Sequence, residues 1–345
     1  MDSRTEYAND CVEGEDAVSL KEIARMAGVS PSTVSRVLND RPGSASEAVK
    51  ERVWAAARAI QYTPNDWARG LRAGGAQCRA RPRVAVVLAR IRALGEDPFF
   101  ADLCRSVEVE LFKQGAQLTG IVYARDALPD FETPDGLLIL GRCSEALLAR
   151  LKAKTHNLVG LWRNPHDTGV DEVVCDGEKA AALATGHLIA LGHKKIAYIG
   201  DCSYERRYVG YAQALLHAGL PLDYALVKPT DQLRASGAEA MRGVLAEKAA
   251  TAVLCANDIT AVGALEALAE VRESARRPVA VIAIDNVEAA QRTRPLLTTV
   301  DIPRADMAHM AGLLLLDRIR GGHREHMRVE LPCRIVERES CFPAR

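Results

Sequence analysis

Residues Leu20 to Asn39 read LKEIARMAGVSPSTVSRVLN, two short amphipathic runs joined at Gly28. Ile23, Ala24 and Ala27 recur at helical spacing in the first run; Val34, Val37 and Leu38 do so in the second. Ala24 is small enough for a second helix to cross closely, and Gly28 takes a turn conformation that a Cβ resists. Ser30 is a good N-cap, and Pro31 fits the first helical position, where a missing N–H costs nothing. The spacing predicts a helix-turn-helix. Its outward face carries Ser32, Thr33, Ser35 and Arg36, with Asn39 at its end, side chains that can donate to phosphates and base edges. Val49, Val53, Ala56, Ala57 and Ile60 share one face of a third predicted helix, Val49 to Ile60. An ordinary αα-hairpin with a polar face is the plainer alternative.

Beyond the third helix come Tyr62-Thr63-Pro64-Asn65 and then Asp66 to Leu71, DWARGL. The pieces LKEIARMAGVS, STVSRVLN, ERVWAAA and Y-x-PN-x-x-AR-x-L resemble the head and hinge of the lactose/galactose repressor family of bacterial transcription regulators. The resemblance implies that residues 19–62 are a DNA-binding head contacting operator through Ser30, Pro31, Ser32, Thr33, Ser35, Arg36 and Asn39. It implies a hinge at 63–82 in which Asn65, Ala68 and Leu71 meet the minor groove. Asn65 can cap a short helix and Gly74-Gly75 would end it, but so short a helix is marginal by itself. In the family it forms on operator, two copies pairing, and Leu71 stands where the family places an intercalating leucine that kinks the duplex. Leu71 packed against the body is the alternative.

Charge is zero overall but unevenly placed. Residues 1–18 hold one Arg against six Asp and Glu, and read as a disordered acidic leader. Residues 19–81 hold eleven Lys and Arg against five Asp and Glu, which suits a phosphate-binding module. The nine cysteines show no CxxC pair and read as free thiols in a reducing cytosol. With no signal-like apolar run and no stretch long enough to cross a bilayer, a cytoplasmic protein without membrane contact is expected.

From residue 83 to 345 the pattern alternates β and α. Strands are expected at Val84–Leu88, Leu118–Val122, Gly136–Leu140, Leu158–Leu161, Glu172–Cys175, Ile196–Gly200, Ala225–Lys228, Ala252–Cys255 and Val279–Ile284. Helices are expected between most of them, at Pro98–Gln114, Glu178–Leu191, Arg206–Ala218, Ser236–Lys248 and Asn257–Val271. Strands apolar on both faces mean parallel sheets covered by helices, and their number means two lobes. The body resembles the family's two-lobed sugar-binding-protein fold through Asp97-Pro98-Phe99-Phe100, HLIALGHKKIAYIG, Arg207-x-x-Gly210, CANDITAVGALEAL and LPCRIVERESC. Only Tyr123 to Asp135 separates the second and third strands, so the family's helix there is reduced to a turn or so. With GLLILGRCS and Glu205–Arg207, that shortening is similar to the subgroup regulating β-galactoside use.

Ligands of such folds bind at carboxyl ends of strands. Asn257 and Asp258 follow one strand, Asp285 and Asn286 another, and Arg207 opens a helix after a third. The resemblance implies effector contacts at Arg207, Asn257 and Asp285, residue types that suit vicinal hydroxyls. The opposite charges of Arg207 and Asp285 suggest that they pair when the site is empty. Asp258 has a competing reading as a helix cap. Phe99 and Phe100 either stack on a sugar or pack the first body helix. Trp162 stands where many members have a cleft acid and offers a stacking platform. Arg163 and Arg304 point near the mouth, either as solvated rim residues or as cations for a phosphorylated effector. His323 and His326 lack a third ligand and read as a surface loop rather than a zinc site. There is no G-x-G-x-x-G after the first body strand, no G-x-S-x-G and no P-loop. The expectation is therefore a regulator without catalytic residues, cofactor or metal, binding double-stranded operator as a homodimer. A cytosolic α/β sugar-binding enzyme with a fortuitous helical head is the competing reading. No heptad pattern follows Cys341, so no coiled-coil tetramerisation element is expected.

Overall fold

The computed structural model describes residues 15–38, 45–60, 81–166, 168–203, 206–247, 249–271 and 278–344. The expected hinge contacts Asn65, Ala68 and Leu71, and Asn39 of the head, lie outside them. Two compact units result, the first ending at Pro82 and also taking in Leu111–Gln117.

In the first unit, α1 (Glu15–Ala27), α2 (Pro31–Leu38) and α3 (Glu47–Ala59) are the expected three helices. Ile23, Ala24, Ala27, Val34, Val37, Leu38, Val53, Ala56 and Ala57 form one buried cluster, with Val49 and Ile60 partly buried against it. Gly28 takes φ +64°, and the Val29 amide donates to the Ala24 carbonyl at 3.0 Å, closing α1. Helix α1 starts at Glu15, one turn before the Ser19 boundary, so the expected disordered leader is shortened. Extending an existing helix adds one hydrogen bond per residue fixed and avoids the cost of nucleation.

The second unit holds two six-stranded sheets. Strands β1 (Arg83–Leu88), β2 (Gln117–Tyr123), β3 (Gly136–Leu140), β4 (Leu158–Trp162), β5 (Asp171–Val174) and β11 (Arg328–Glu330) make one, ordered β11-β5-β4-β3-β1-β2. Strands β6 (Ile196–Gly200), β7 (Val227–Pro229), β8 (Ala252–Cys255), β9 (Ala280–Asp285), β10 (Thr298–Asp301) and β12 (Arg334–Val336) make the other, ordered β12-β10-β9-β8-β6-β7. The central pairings are parallel, and β12 runs antiparallel to β10. Helices α4 (Pro98–Lys113), α5 (Glu145–Lys152), α6 (Gly177–Ala190), α7 (Arg206–His217), α8 (Arg234–Ala246), α9 (Asp258–Val271) and α10 (Arg304–Ile319) complete the unit. The chain passes between the lobes three times: at Cys175–Asp176 after β5, at Ile302–Pro303 before α10, and at Leu331–Cys333 between β11 and β12. None of the helices among the described residues is long and apolar enough to cross a membrane.

Two local readings are corrected. No helix connects β2 to β3, not even a turn; an extended crossover places Leu128 in the core, with Phe131 packed against it. These two side chains supply the apolar cover that a helix would give. His323 is no free surface residue: it bridges Asp171 at 2.7 Å and Asp317 at 2.6 Å, while Arg318 holds the buried Asp171 with two 2.7 Å bonds. A buried carboxylate needs such partners, and distant sequence neighbours supply them.

Candidate functional site

Each sheet repeats one order, the second strand lying outside the first, so the connections diverge beside the first strand. Crevices form at the carboxyl ends there. A cleft of about 510 Å³ lies at this place in both sheets. Ile91, Gly141 and Trp162–Asn164 line it from one lobe; Asp201, Arg207, Gln232 and Asn257 line it from the other.

Arg207 sits in α7 and is 1% exposed. It donates to the Ala256 carbonyl and to Gln232 Oε1 at 2.8 Å. The expected Arg207–Asp285 pair is therefore replaced. Asp285 Oδ2 accepts instead from Arg163 at 3.0 Å, an ion pair joining the end of β4 to the end of β9 across the lobes. Arg163 is half-buried and its guanidinium lies 4.0 Å from the Phe99 ring centre. Arg304 donates to the carbonyls of Asp285 and Asn286. Neither arginine is a solvated rim residue, because each has a buried acceptor within reach that sequence spacing does not reveal.

Asp285 and Asn286 take φ of +123° and +51°, backbone conformations that L side chains rarely adopt. The segment is held there by Arg304, by Asn286 Nδ2 donating to Asp301 at 2.9 Å, and by Arg338 donating to Asn286 Oδ1 at 2.7 Å. Burial raises the Asp285 pKa to about 6, with Arg163 and Arg207 opposing the rise.

Asn257, not Asp258, caps α9: its Oδ1 accepts from the Thr260 amide at 2.8 Å, while Nδ2 donates to the Gln232 carbonyl at 3.2 Å. Asp258 is fully buried, accepting from the Val287 amide at 2.8 Å and the Thr299 hydroxyl at 2.6 Å. Burial, and the nearby charge of Asp285, raise its pKa to about 8. Phe99 and Phe100 both line the cleft, edge to face at 5.5 Å, and both are buried. Trp162 is buried too; its indole folds over Gly160, where a Cβ would fall inside the ring. A residue larger than glycine two positions earlier in β4 would expel it. Gln232, at φ +65° in the loop after β7, was not anticipated. The turn-forming Thr230-Asp231 before it was the available signal.

In the head, Ser30 Oγ accepts from the Thr33 amide at 3.1 Å, the expected cap. Ser30, Pro31, Ser32 and Arg36 are exposed and Thr33 and Ser35 half-buried, so the structure brings these six onto the outer side of α2. Arg36 Nε donates to the Ser32 carbonyl at 3.3 Å.

Residues 19–65 match the model of bacterial regulatory proteins, lacI family, and residues 185–341 that of a periplasmic binding protein-like domain. The HTH-type transcriptional repressor PurR of Erwinia tasmaniensis is 31% identical over 341 residues, covering 93% of this chain and 96% of that protein. A transcriptional regulator CelR–cellobiose complex superposes with TM-score 0.65 at 29% identity, covering 93% of this chain and 99% of that one. A LacI family regulator from Enterococcus faecium with bound ribose gives TM-score 0.66 at 26% identity, covering 76% and 100%. The subgroup expectation of a β-galactoside regulator finds no support in a PurR relative: a short β2–β3 connection is a local trait that does not fix ligand class. Likeness through both head and body places the chain in the lacI family of bacterial regulatory proteins, DNA-binding transcriptional repressors controlled by a small-molecule effector.

Proposed function

We propose that the effector is a neutral polyhydroxy compound, a sugar or sugar derivative, held between the lobes by Asp285, Arg163, Trp162, Arg207 and Asn257. The observation that carries this reading is a mixed set of buried polar atoms without hydrogen-bond partners among the described residues: the acceptor Asp285 Oδ1 and the donors Trp162 Nε1 and Arg163 Nε. A hydroxyl donates to the first kind and accepts from the second, so one hydroxyl can serve both. The deep guanidiniums of Arg163, Arg207 and Arg304 are already engaged by a carboxylate, a side-chain amide or backbone carbonyls, which speaks against a phosphorylated effector. The cellobiose and ribose of the two structural relatives belong to the proposed class. A thermal-shift screen of the full chain tests it. Neutral sugars should raise the unfolding temperature saturably; a response confined to sugar phosphates or nucleosides would overturn the reading.

The effector response should depend on pH. With its pKa raised to about 6, Asp285 loses its charge below that value and can no longer hold Arg163 as an ion pair. Sugar affinity should fall by up to about tenfold per pH unit below it, and level off above about 7. Stability of the free protein has the opposite sign. The folded state binds this proton more tightly than the unfolded chain, so the contribution is greatest below about pH 4 and diminishes as pH rises to about 6. Calorimetric titration and thermal unfolding from pH 5 to 8 check both signs.

We further propose that α2 enters the major groove and that two copies of the chain bind a two-fold operator in the cytoplasm, with Leu71 as a minor-groove wedge. Arg36→Ala should weaken operator binding by about 1–3 kcal/mol if Arg36 reads a guanine. A gel-shift series with operator and random duplexes decides: equal loss on both would make Arg36 a phosphate contact.

A further inference from the structure

Two of the three segments joining the lobes each carry a cysteine. Cys175 follows β5 and Cys333 follows β11, and these strands pair in parallel, Val174 opposite Glu330, with the Leu331 amide donating to the Val174 carbonyl at 2.8 Å. Cys175 stands one residue past the last paired rung and Cys333 three past it, close enough that each thiol shifts the titration of the other. Cys175 is buried and its amide donates to the Trp162 carbonyl at 3.3 Å, next to the effector cleft. Cys333 is half-buried and lines a second cavity of about 690 Å³ with Pro332, Arg334 and Arg105, open to small solutes.

We propose that Cys175 and Cys333 are a redox site, converted by peroxide to a disulfide that ties two inter-lobe segments together and stiffens the hinge of the regulator. The thiols differ in the way this chemistry needs. Cys175 holds the Cys333 pKa below its ordinary value, against burial and the charges of Asp176 and Glu330, whereas Cys175 is raised by Cys333 and by burial. The Cys333 thiolate attacks one peroxide oxygen, the O–O bond breaks, and the leaving hydroxide takes a proton to become water. The Cys333 sulfenic acid is then attacked by Cys175 sulfur, which gives up its proton as the S–O bond breaks and a second water leaves. Two thiols are oxidised and one peroxide is reduced to two waters; a dithiol reductant reverses the change.

The test treats the full chain with hydrogen peroxide and maps its peptides without reduction. The expected product is a Cys175–Cys333 linked peptide, two hydrogens lighter than the reduced pair. Cys104 and Cys202, whose thiols burial pushes to about 11, should stay reduced. Amide exchange in residues 174–177 and 330–334 should slow by about tenfold on oxidation, and not in Cys333→Ser or Cys175→Ser. Oxidation of other cysteines first, or Cys333 carried to the sulfinic acid with Cys175 untouched, would overturn the site. A linked peptide without slower exchange would overturn the hinge role.

Discussion

Asp285→Ala should abolish the effector response while operator binding without effector stays at its wild-type level. Asp285 ends β9 and is the one acidic side chain bonded to Arg163 among the described residues, and Arg163 lines the cleft that the proposed ligand enters. Charge-assisted hydrogen bonds contribute about 1.5–3 kcal/mol each, and removing the carboxylate also leaves Arg163 buried without its partner. A loss at the upper end of that range is about 100-fold in sugar affinity. Operator titrations with and without the sugar found in the thermal-shift screen decide the matter. A variant that responds at the wild-type sugar concentration would show that Asp285 is not a ligand contact. A variant that also loses operator affinity would show that Asp285 holds the lobe together.

Gly210→Ala should damage both the stability of the second lobe and its cleft. Gly210 faces α6, and a Cβ built there falls inside the Glu178 carbonyl, 2.8 Å from its carbon. That neighbour is backbone, so no side-chain rotation relieves the clash and α7 must move. Overpacking of this kind costs about 1–3 kcal/mol, with more where backbone meets backbone. The displacement reaches the site, because Arg207 lies one turn earlier in the same helix and its stem packs near Gly177, where a Cβ would meet Arg207 Cγ at 3.2 Å. Thermal unfolding should show the loss of stability, and sugar titration should show weaker binding in the fraction that still folds. Unchanged values in both would mean that α6 and α7 can separate without consequence.

These two residues mark the limit of what the chain discloses before it folds. Gly210 stood out only within Arg207-x-x-Gly210, a piece that carries the resemblance; its close approach to the Glu178 backbone has no signal in the sequence. Buried strands such as Gly136–Leu140 and Ala252–Cys255 were readable because parallel sheets covered on both faces leave unbroken apolar runs. Helix α10 was missed: Leu314, Leu315 and Leu316 are all buried, so its apolar stripe has no clean period. Strands β11 and β12, exposed or half-buried along their length, have no unbroken apolar run to signal them. The partner of Asp285 was misread for another reason. Arg163 and Asp285 lie 122 positions apart on different lobes, and pairing over such a span is set by three-dimensional approach. The same holds for Asn257 and Asp258, adjacent residues of similar capping ability, between which only the direction of the following helix chooses.

The Arg163–Asp285 pair also orders the cleft before any ligand arrives. The guanidinium and the carboxylate are already held in the place from which their free Nε and Oδ1 atoms would meet a hydroxyl. A sugar that binds there has neither side chain to immobilise, a cost of about 0.5–1.5 kcal/mol for each that is ordered on binding. Loosening the pair would therefore raise the sugar concentration at which the regulator answers, with the contacts to the sugar unchanged.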